Sequence, residues 1–290
     1  MNATSRAASA GIAAIAQAIA IRVTPARRRA LRHGLILSGV LAAGIVGIRA
    51  YQGGAIDAYA YWSHTSPVTY EALPGTDGAF LYSPAFAQAI SPLTSLPWQI
   101  FLGVWIALLL FVMAWLTGPL LLLPAVVLLG IEIEYANIHV LIAGAIVLGF
   151  RLPWTWVLPL LTKVTPGVGL LWFVRRHDWR ALVVALGATA AVAAVSAVLD
   201  PAGWVSWLQL LVRSAEAPAQ SFSSLVPLWL RLPVAAFVVW WGAGRDAKWT
   251  VPLSATIALP VIWPGSLALL LGIVPLARPS WRPGWRVALA

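Results

Sequence analysis

The sequence predicts an all-α, polytopic transmembrane bundle of about eight spans, and three observations support this prediction. First, 61% of the 290 residues are hydrophobic, and the mean hydropathy is +0.86. Second, only 10% of the residues are charged, whereas about 25% is usual in a soluble domain. Third, apolar runs approach the length of a spanning helix, about 17 to 25 residues, at many places along the chain. A disordered chain, a collagen and a cytosolic enzyme are therefore excluded.

The first 34 residues are expected to form a basic cytoplasmic arm. Residues 10–21 are apolar but too short to span a bilayer, so we expect a helix that lies at the membrane interface. Basic residues follow this stretch, namely Arg22, Arg27, Arg28, Arg29 and Arg32. A cleaved signal peptide is disfavoured because its charge normally precedes its apolar region.

Residues 35–277 are expected to form the transmembrane domain, with outer loops at 51–97 and 200–225. Residues 278–290 would be a basic cytoplasmic tail. The predicted spans are bounded by charge, Pro or Gly and comprise Leu35–Ala50, Trp98–Leu116, Gly118–Ile133, Ile138–Phe150, Ala181–Leu199, Val226–Gly242, Trp249–Trp263 and Gly265–Ala277.

The orientation follows from the distribution of basic residues. Six precede the first predicted span, whereas residues 51–97 contain none. Cytoplasmic loops carry an excess of Lys and Arg, so the N-terminus is expected in the cytoplasm. The net charge of +10 does not indicate nucleic-acid binding, because fifteen of the 19 basic residues fall in short tracts between or outside the apolar runs. The absence of cysteine excludes thiol chemistry and leaves the redox compartment open.

One segment, Trp154–Val174, has the length of a single span but basic residues at both ends. A single crossing would invert every later loop, whereas two half-length helices that meet near Lys163 and Pro166 would restore the pattern. Non-helical backbone at membrane depth is tolerated only where it is buried or lines a watery cavity. The break is therefore a candidate site. The alternative is a proline kink with a snorkelling lysine.

Four basic residues are expected at or within the outer half of the membrane, and seven of the nine acids lie outside. Cations beside the outer leaflet suit an anionic lipid headgroup, although those near helix ends could simply snorkel. The four are Arg49, Lys163, Arg213 and Arg231.

Several short motifs occur in a defined order along the chain. They are Asp57-Ala-Tyr-Ala-Tyr61-Trp62, Tyr82-Ser83-Pro84-Ala85-Phe86, Asn137-Ile138-His139, Lys163-Val164-Thr165-Pro166 followed by Arg175-Arg176, and Gln220-Ser221. Together they resemble glycosyltransferase family 87, polyprenyl-phosphate-sugar-dependent transferases of the GT-C fold, many of them mannosyltransferases. Near its end the family usually has a Ser-Trp-x-His-like stretch, whereas this chain has Ile262-Trp263-Pro264-Gly265-Ser266.

The resemblance implies an inverting transfer of a hexose such as mannose from a polyprenyl phosphate to a lipid or glycan hydroxyl, at the outer face of a bacterial cytoplasmic membrane. The acceptor hydroxyl needs a positioned base, and Asp57 is the candidate. The phosphate leaving group needs cations. The residues expected to bind substrate are Arg49, Lys163 and Arg213 at the phosphate, Tyr61, Trp62 and Tyr82 at the sugar, and also Asn137, His139 and Gln220.

No cofactor is expected, because the lipid-linked sugar is itself a substrate. A divalent ion held by Glu132, Glu134 and His139 is an alternative, but their spacing matches no standard ligand pattern. Two other classes of function stay open. One is a lipid transporter or flippase with Lys163 as its mid-membrane contact, and the other is a non-catalytic relative that scaffolds envelope synthesis.

Overall fold

The computed structural model describes residues 24–63, 68, 70–72, 79–216 and 226–278, and these residues form helices and connecting turns without any strand. The prediction of an all-α fold is confirmed for this part of the chain. The predicted interfacial helix at 10–21, Gln220 and residues 279–290 lie outside the described residues.

The described residues in the first half of the chain form six α-helices. Their bounds are α1 Pro25–Arg49, α2 Ile56–Ser63, α3 Pro84–Thr94, α4 Trp98–Thr117, α5 Leu122–Tyr135 and α6 His139–Gly149.

The second half mixes α-helices with 3₁₀ segments. The α-helices are α7 Val157–Thr162, α8 Leu171–Arg175, α9 Trp179–Leu199, α10 Pro201–Glu216, α11 Leu228–Gly244, α12 Thr250–Ile257 and α13 Ile273–Leu276, and the 3₁₀ segments are Pro153–Trp156, Thr165–Leu170 and Pro264–Gly272.

Three described helical stretches are long and apolar enough to cross a membrane: Pro25–Gly54, Trp98–Thr117 and Trp179–Leu199. Helices α5 and α6 together would form a fourth span, bent by 113° at a short break. The predicted count of about eight spans is not confirmed. Several predicted spans are instead short helices. Helix α12, for example, has 8 residues and so covers about 12 Å of a membrane core that is roughly 30 Å thick.

Many apolar side chains on the long helices point away from the protein. Leu128 on α5 is 76% exposed and Val198 on α9 is 82% exposed. Outward apolar faces of this kind are what a helix presents to lipid, whereas the interior is packed by residues such as Ile142, Trp156 and Val251. The hydrophobic surface therefore agrees with a membrane protein.

Helix α1 begins at Pro25, ten residues before the predicted span. The Thr24 hydroxyl accepts a hydrogen bond from the Arg27 backbone N–H at 3.2 Å, which is a typical N-terminal cap. The helix ends in a π-helical turn at Ala50–Gly54, where Gly53 has a φ of 126° that is favourable only for glycine. This turn separates α1 from α2, at whose first turn Asp57 lies.

The segment after α6 folds back on itself. The rings of Trp156 and Phe173 have centroids 6.3 Å apart, although 17 residues of straight helix would separate them by about 25 Å. The helix breaks where the sequence analysis expects it, because α7 ends at Thr162 and Val164 has a φ of 47°. Lys163 therefore lies at the tip of a broken helical hairpin.

Arg231 on α11 is buried and does not snorkel to the surface. Its guanidinium donates hydrogen bonds of 2.6–2.9 Å to the backbone carbonyls of Val226, Ile257, Leu259 and Pro260. Three of these carbonyls lie at the end of α12 and just after it, so one side chain joins the start of α11 to this region.

Candidate active site

Asp57 is held at the start of α2 by a residue from a different part of the chain. The Asn137 side-chain N–H donates to the Asp57 carboxylate at 2.7 Å. Asn137 is itself oriented, because its side-chain oxygen accepts a hydrogen bond from the Ile138 backbone N–H at 2.7 Å. Ala136, which ends α5 in the left-handed region at φ 56°, makes the turn that presents Asn137 to Asp57.

Two tyrosines extend this arrangement towards the broken hairpin. The hydroxyls of Tyr61 and Tyr82 are 3.0 Å apart, and both side chains are buried. The Tyr61 hydroxyl also lies 3.5 Å from the Asn137 side-chain oxygen, at the limit of a hydrogen bond. Tyr61 and Asp57 lie four residues apart on one short helix and therefore share a face.

Lys163, at the tip of the broken hairpin, joins this group. Its ammonium lies 5.2 Å from the centroid of the Tyr82 ring, in the range of a cation–π contact. Burial raises the pKa of Asp57 above its ordinary value, while the positive charge of Lys163 and the hydrogen bond from Asn137 oppose that increase. The structure thus brings together Asp57, Tyr61, Tyr82, Asn137 and Lys163, which we call the polar cluster.

Other residues from the sequence analysis have separate partners. Arg49 is exposed and forms an ion pair of 2.9 Å with Glu134. Arg213 is also exposed, and its guanidinium donates to the Tyr70 carbonyl at 2.7 Å. The Trp62 indole N–H donates to the Leu96 carbonyl at 2.8 Å. None of these contacts joins the three side chains to the polar cluster.

His139 is buried. One ring nitrogen lies 3.0 Å from the Glu132 carboxylate, and the other lies 3.3 Å from the Ser266 hydroxyl. Glu132 also accepts a hydrogen bond from the Val140 backbone N–H at 3.2 Å. Both ring nitrogens of His139 therefore have partners within the protein, one on α5 and one in the 3₁₀ segment Pro264–Gly272.

No pattern in the sequence predicts the contacts that join Glu132, His139 and Ser266. The two acids of the alternative metal site are separated, because Glu134 binds Arg49 whereas Glu132 binds His139. In the described ranges no three His, Asp or Glu side chains are grouped so as to hold a metal ion.

An apolar groove of about 590 Å³ lies beside the polar cluster. Helices α3, α4, α6, α7 and α9 line it, together with the 3₁₀ segment that precedes α7. Its lining includes Phe86, Leu161 and Thr162, which are close in sequence to Tyr82 and Lys163. The Ser83 hydroxyl, just before α3, donates a hydrogen bond of 2.6 Å to the Leu161 carbonyl on α7 and so links these two sides of the groove. The sequence analysis did not predict this groove.

Apolar helices, a helix broken at a lysine and a polar cluster beside an apolar groove define a membrane protein with a candidate site for an amphiphilic, anionic ligand. Residues 80–289, well over half of the chain, match glycosyltransferase family 87, and the chain belongs to this family. It is therefore a membrane glycosyltransferase. No curated protein and no solved structure matches it. Tyr82, Asn137 and Lys163 lie inside the matched region, whereas Asp57 and Tyr61 precede it.

Proposed function

We propose that this protein transfers a hexose such as mannose from a polyprenyl phosphate to a hydroxyl of a lipid or glycan, with inversion at the sugar. The reaction would occur at the outer face of a bacterial cytoplasmic membrane, with the N-terminus of the chain in the cytoplasm. The observation that carries this proposal is the position of the polar cluster. It combines a carboxylate with an ammonium and lies beside a groove suited to a hydrocarbon chain.

Asp57 is the proposed general base. An acceptor hydroxyl has a pKa far above 7, so it attacks efficiently only as its proton is removed. In the proposed step the acceptor oxygen forms a bond to the sugar C1 while its proton passes to Asp57. The bond between C1 and the phosphate oxygen breaks, and its electron pair leaves with the polyprenyl phosphate. A single displacement of this kind inverts the configuration at C1.

Lys163 is the proposed phosphate contact. The departing phosphate is a stable anion that needs no proton, but the charge that develops on its oxygen is stabilised by a nearby cation. Arg49 and Arg213 are bound to Glu134 and to the Tyr70 carbonyl respectively, so we assign the phosphate to Lys163 first. The hydroxyls of Tyr61 and Tyr82 are available for the sugar once their mutual hydrogen bond opens.

The apolar groove supports a lipid-linked donor. A polyprenyl tail gains free energy from leaving water, at about 25 cal/mol for each Å² of apolar surface buried. A tail in the groove would bring its phosphate towards Lys163, because Leu161 and Thr162 line the groove and directly precede this lysine in sequence. A nucleotide sugar has no comparable apolar part.

The proposal is tested by giving proteoliposomes of the purified protein a polyprenyl phosphate that carries a labelled hexose, together with a lipid extract as acceptor. We expect the label to appear in a new glycolipid or glycan with opposite anomeric configuration, along with free polyprenyl phosphate. Movement of intact donor across the bilayer without cleavage would instead support a flippase. If neither sugar transfer nor movement of the donor occurred, the result would support a non-catalytic scaffold.

A further inference from the structure

A concentrated basic surface lies where three connections of the fold meet, and none of its residues belongs to the polar cluster. The connections are residues 150–152, 175–180 and 244–248, and they carry six basic residues against two acids. The basic residues are Arg151, Arg175, Arg176, Arg180, Arg245 and Lys248, which we call the basic surface.

Contacts between side chains hold these connections together. The Arg176 guanidinium lies 3.9 Å from the Asp246 carboxylate, and the Lys248 ammonium lies 5.5 Å from the centroid of the Phe150 ring. Asp246 thus lies beside Arg176, but the distance between their charged groups is too long for a strong ion pair. The Arg176 side chain remains 49% exposed, and the other four arginines of the basic surface are exposed as well, so most of the positive charge is available to a partner.

Aromatic rings contact two further cations of the basic surface. Arg175 lies 5.5 Å from the centroid of the Trp240 ring, and Arg245 lies 4.4 Å from that of Trp241. Both indole rings are more than a third exposed. Arginines stacked on indoles keep their N–H groups free at the edge for an anion, and exposed indoles are typical of the membrane–water interface.

The position of the basic surface along the helices identifies its partner. The long apolar helix α9 begins at Trp179, inside this surface, and the apolar helix α11 ends at Gly244 beside it. Cations at the ends of apolar helices lie at the level of lipid headgroups. A soluble acidic protein would not need the neighbouring indoles.

We propose that the basic surface binds the phosphate headgroup of an anionic bilayer lipid, separately from the sugar donor. Guanidinium groups bind phosphate through paired hydrogen bonds. Because the basic surface joins the ends of α8, α9 and α11, a bound headgroup would connect these helices at the face where basic residues are concentrated. This lipid is a structural partner and takes no part in sugar transfer.

The test uses the full chain in detergent and counts bound lipid by native mass spectrometry. Phosphatidylglycerol is compared with phosphatidylcholine of the same acyl chains. We expect phosphatidylglycerol to bind more tightly, and we expect its affinity to fall with rising salt. The double variant Arg176→Gln/Arg245→Gln should lose affinity by about fivefold for each cation removed. If the unaltered protein bound the two lipids equally well, that result alone would overturn the proposal.

The matched control is Arg27→Gln/Arg29→Gln, which removes the same charge from helix α1. This control should keep the affinity for phosphatidylglycerol within about twofold. An equal loss in both double variants would show that net charge alone attracts the lipid. Inorganic phosphate at millimolar concentration should not displace phosphatidylglycerol, and its displacement would indicate a simple anion site instead.

Discussion

Asp57 combines a partly buried carboxylate with two groups that favour its charged form, Lys163 and Asn137. This combination suits a general base, which must be deprotonated yet able to accept a proton. We expect Asp57→Asn to reduce the turnover number for sugar transfer by about 10² to 10⁴. The expression level and the donor KM should stay close to those of the unaltered protein. Steady-state kinetics in proteoliposomes would measure both constants.

The control for this change is Glu71→Gln, which removes an exposed acid with no assigned role. It should retain full turnover. Normal turnover by Asp57→Asn would remove Asp57 from the mechanism, and the base would then have to be sought elsewhere.

The dependence of the rate on pH follows from the same environment. Burial raises the pKa of Asp57 above its ordinary value of 3.8, so falling pH should protonate Asp57 and reduce kcat/KM at a pH higher than for a free aspartate. The change Asn137→Leu removes a hydrogen bond that lowers this pKa, and should therefore move the loss of activity to still higher pH. A profile that does not respond to Asn137→Leu would contradict the assignment of its acid limb to Asp57.

At the scale of the helix, the hydrogen bonds of Arg231 predict how its substitution changes the stability of the protein. Arg231→Met would leave up to four backbone carbonyls without their present donor, and hydrogen bonds from a charged group contribute about 1.5–3 kcal/mol each. We expect a loss of at least about 3 kcal/mol in unfolding free energy, seen as a lower thermal midpoint in detergent. Arg49→Met, at an exposed ion pair, should cost less than about 1 kcal/mol. Similar losses for both would contradict the account.

The broken hairpin illustrates what the sequence can predict. Lys163, Pro166 and Gly167 interrupt an apolar run, and the basic residues at both ends of this run indicate that the chain turns back. The span count could not be predicted in the same way, because mean hydropathy does not distinguish a spanning helix from a short helix buried among its neighbours. Helix α12 is such a case, with Val251 and Ala255 fully buried.

The sequence also does not predict which side chains that are far apart along the chain contact each other in the fold. The motifs that include Asp57, Tyr82, Asn137 and Lys163 could be identified in order, but nothing in their order specifies that Asn137 binds Asp57 or that the two tyrosine hydroxyls meet. In the sequence, Ser266 stands out only as part of a departure from the family pattern. Its contact with the buried His139 depends on the packing of α6 against the 3₁₀ segment Pro264–Gly272.

At the scale of the whole molecule, the proposed mechanism has the apolar groove and the polar cluster bind one amphiphilic donor. Ala89 is exposed and lines the groove, so Ala89→Trp should fill part of it without disturbing the core. We expect the donor KM to rise by about tenfold with little change in kcat, because binding is lost equally from the ground state and the transition state. Ala194→Trp, at an exposed position of α9 outside the groove lining, is the matched control.

An unchanged donor KM for Ala89→Trp would place the lipid tail elsewhere. A comparable increase for Ala194→Trp would show that bulk on any lipid-facing helix is enough to raise KM, and the groove would lose its assigned role.

A double-mutant cycle on kcat/KM for sugar transfer, with Asp57→Asn, Lys163→Met and the combined variant, tests the central claim most directly. If the carboxylate and the ammonium act on one bound donor, the combined loss should be well below the product of the single losses, because residues that act as a unit are strongly non-additive. Independent losses that multiply in full would contradict a single site built from Asp57 and Lys163.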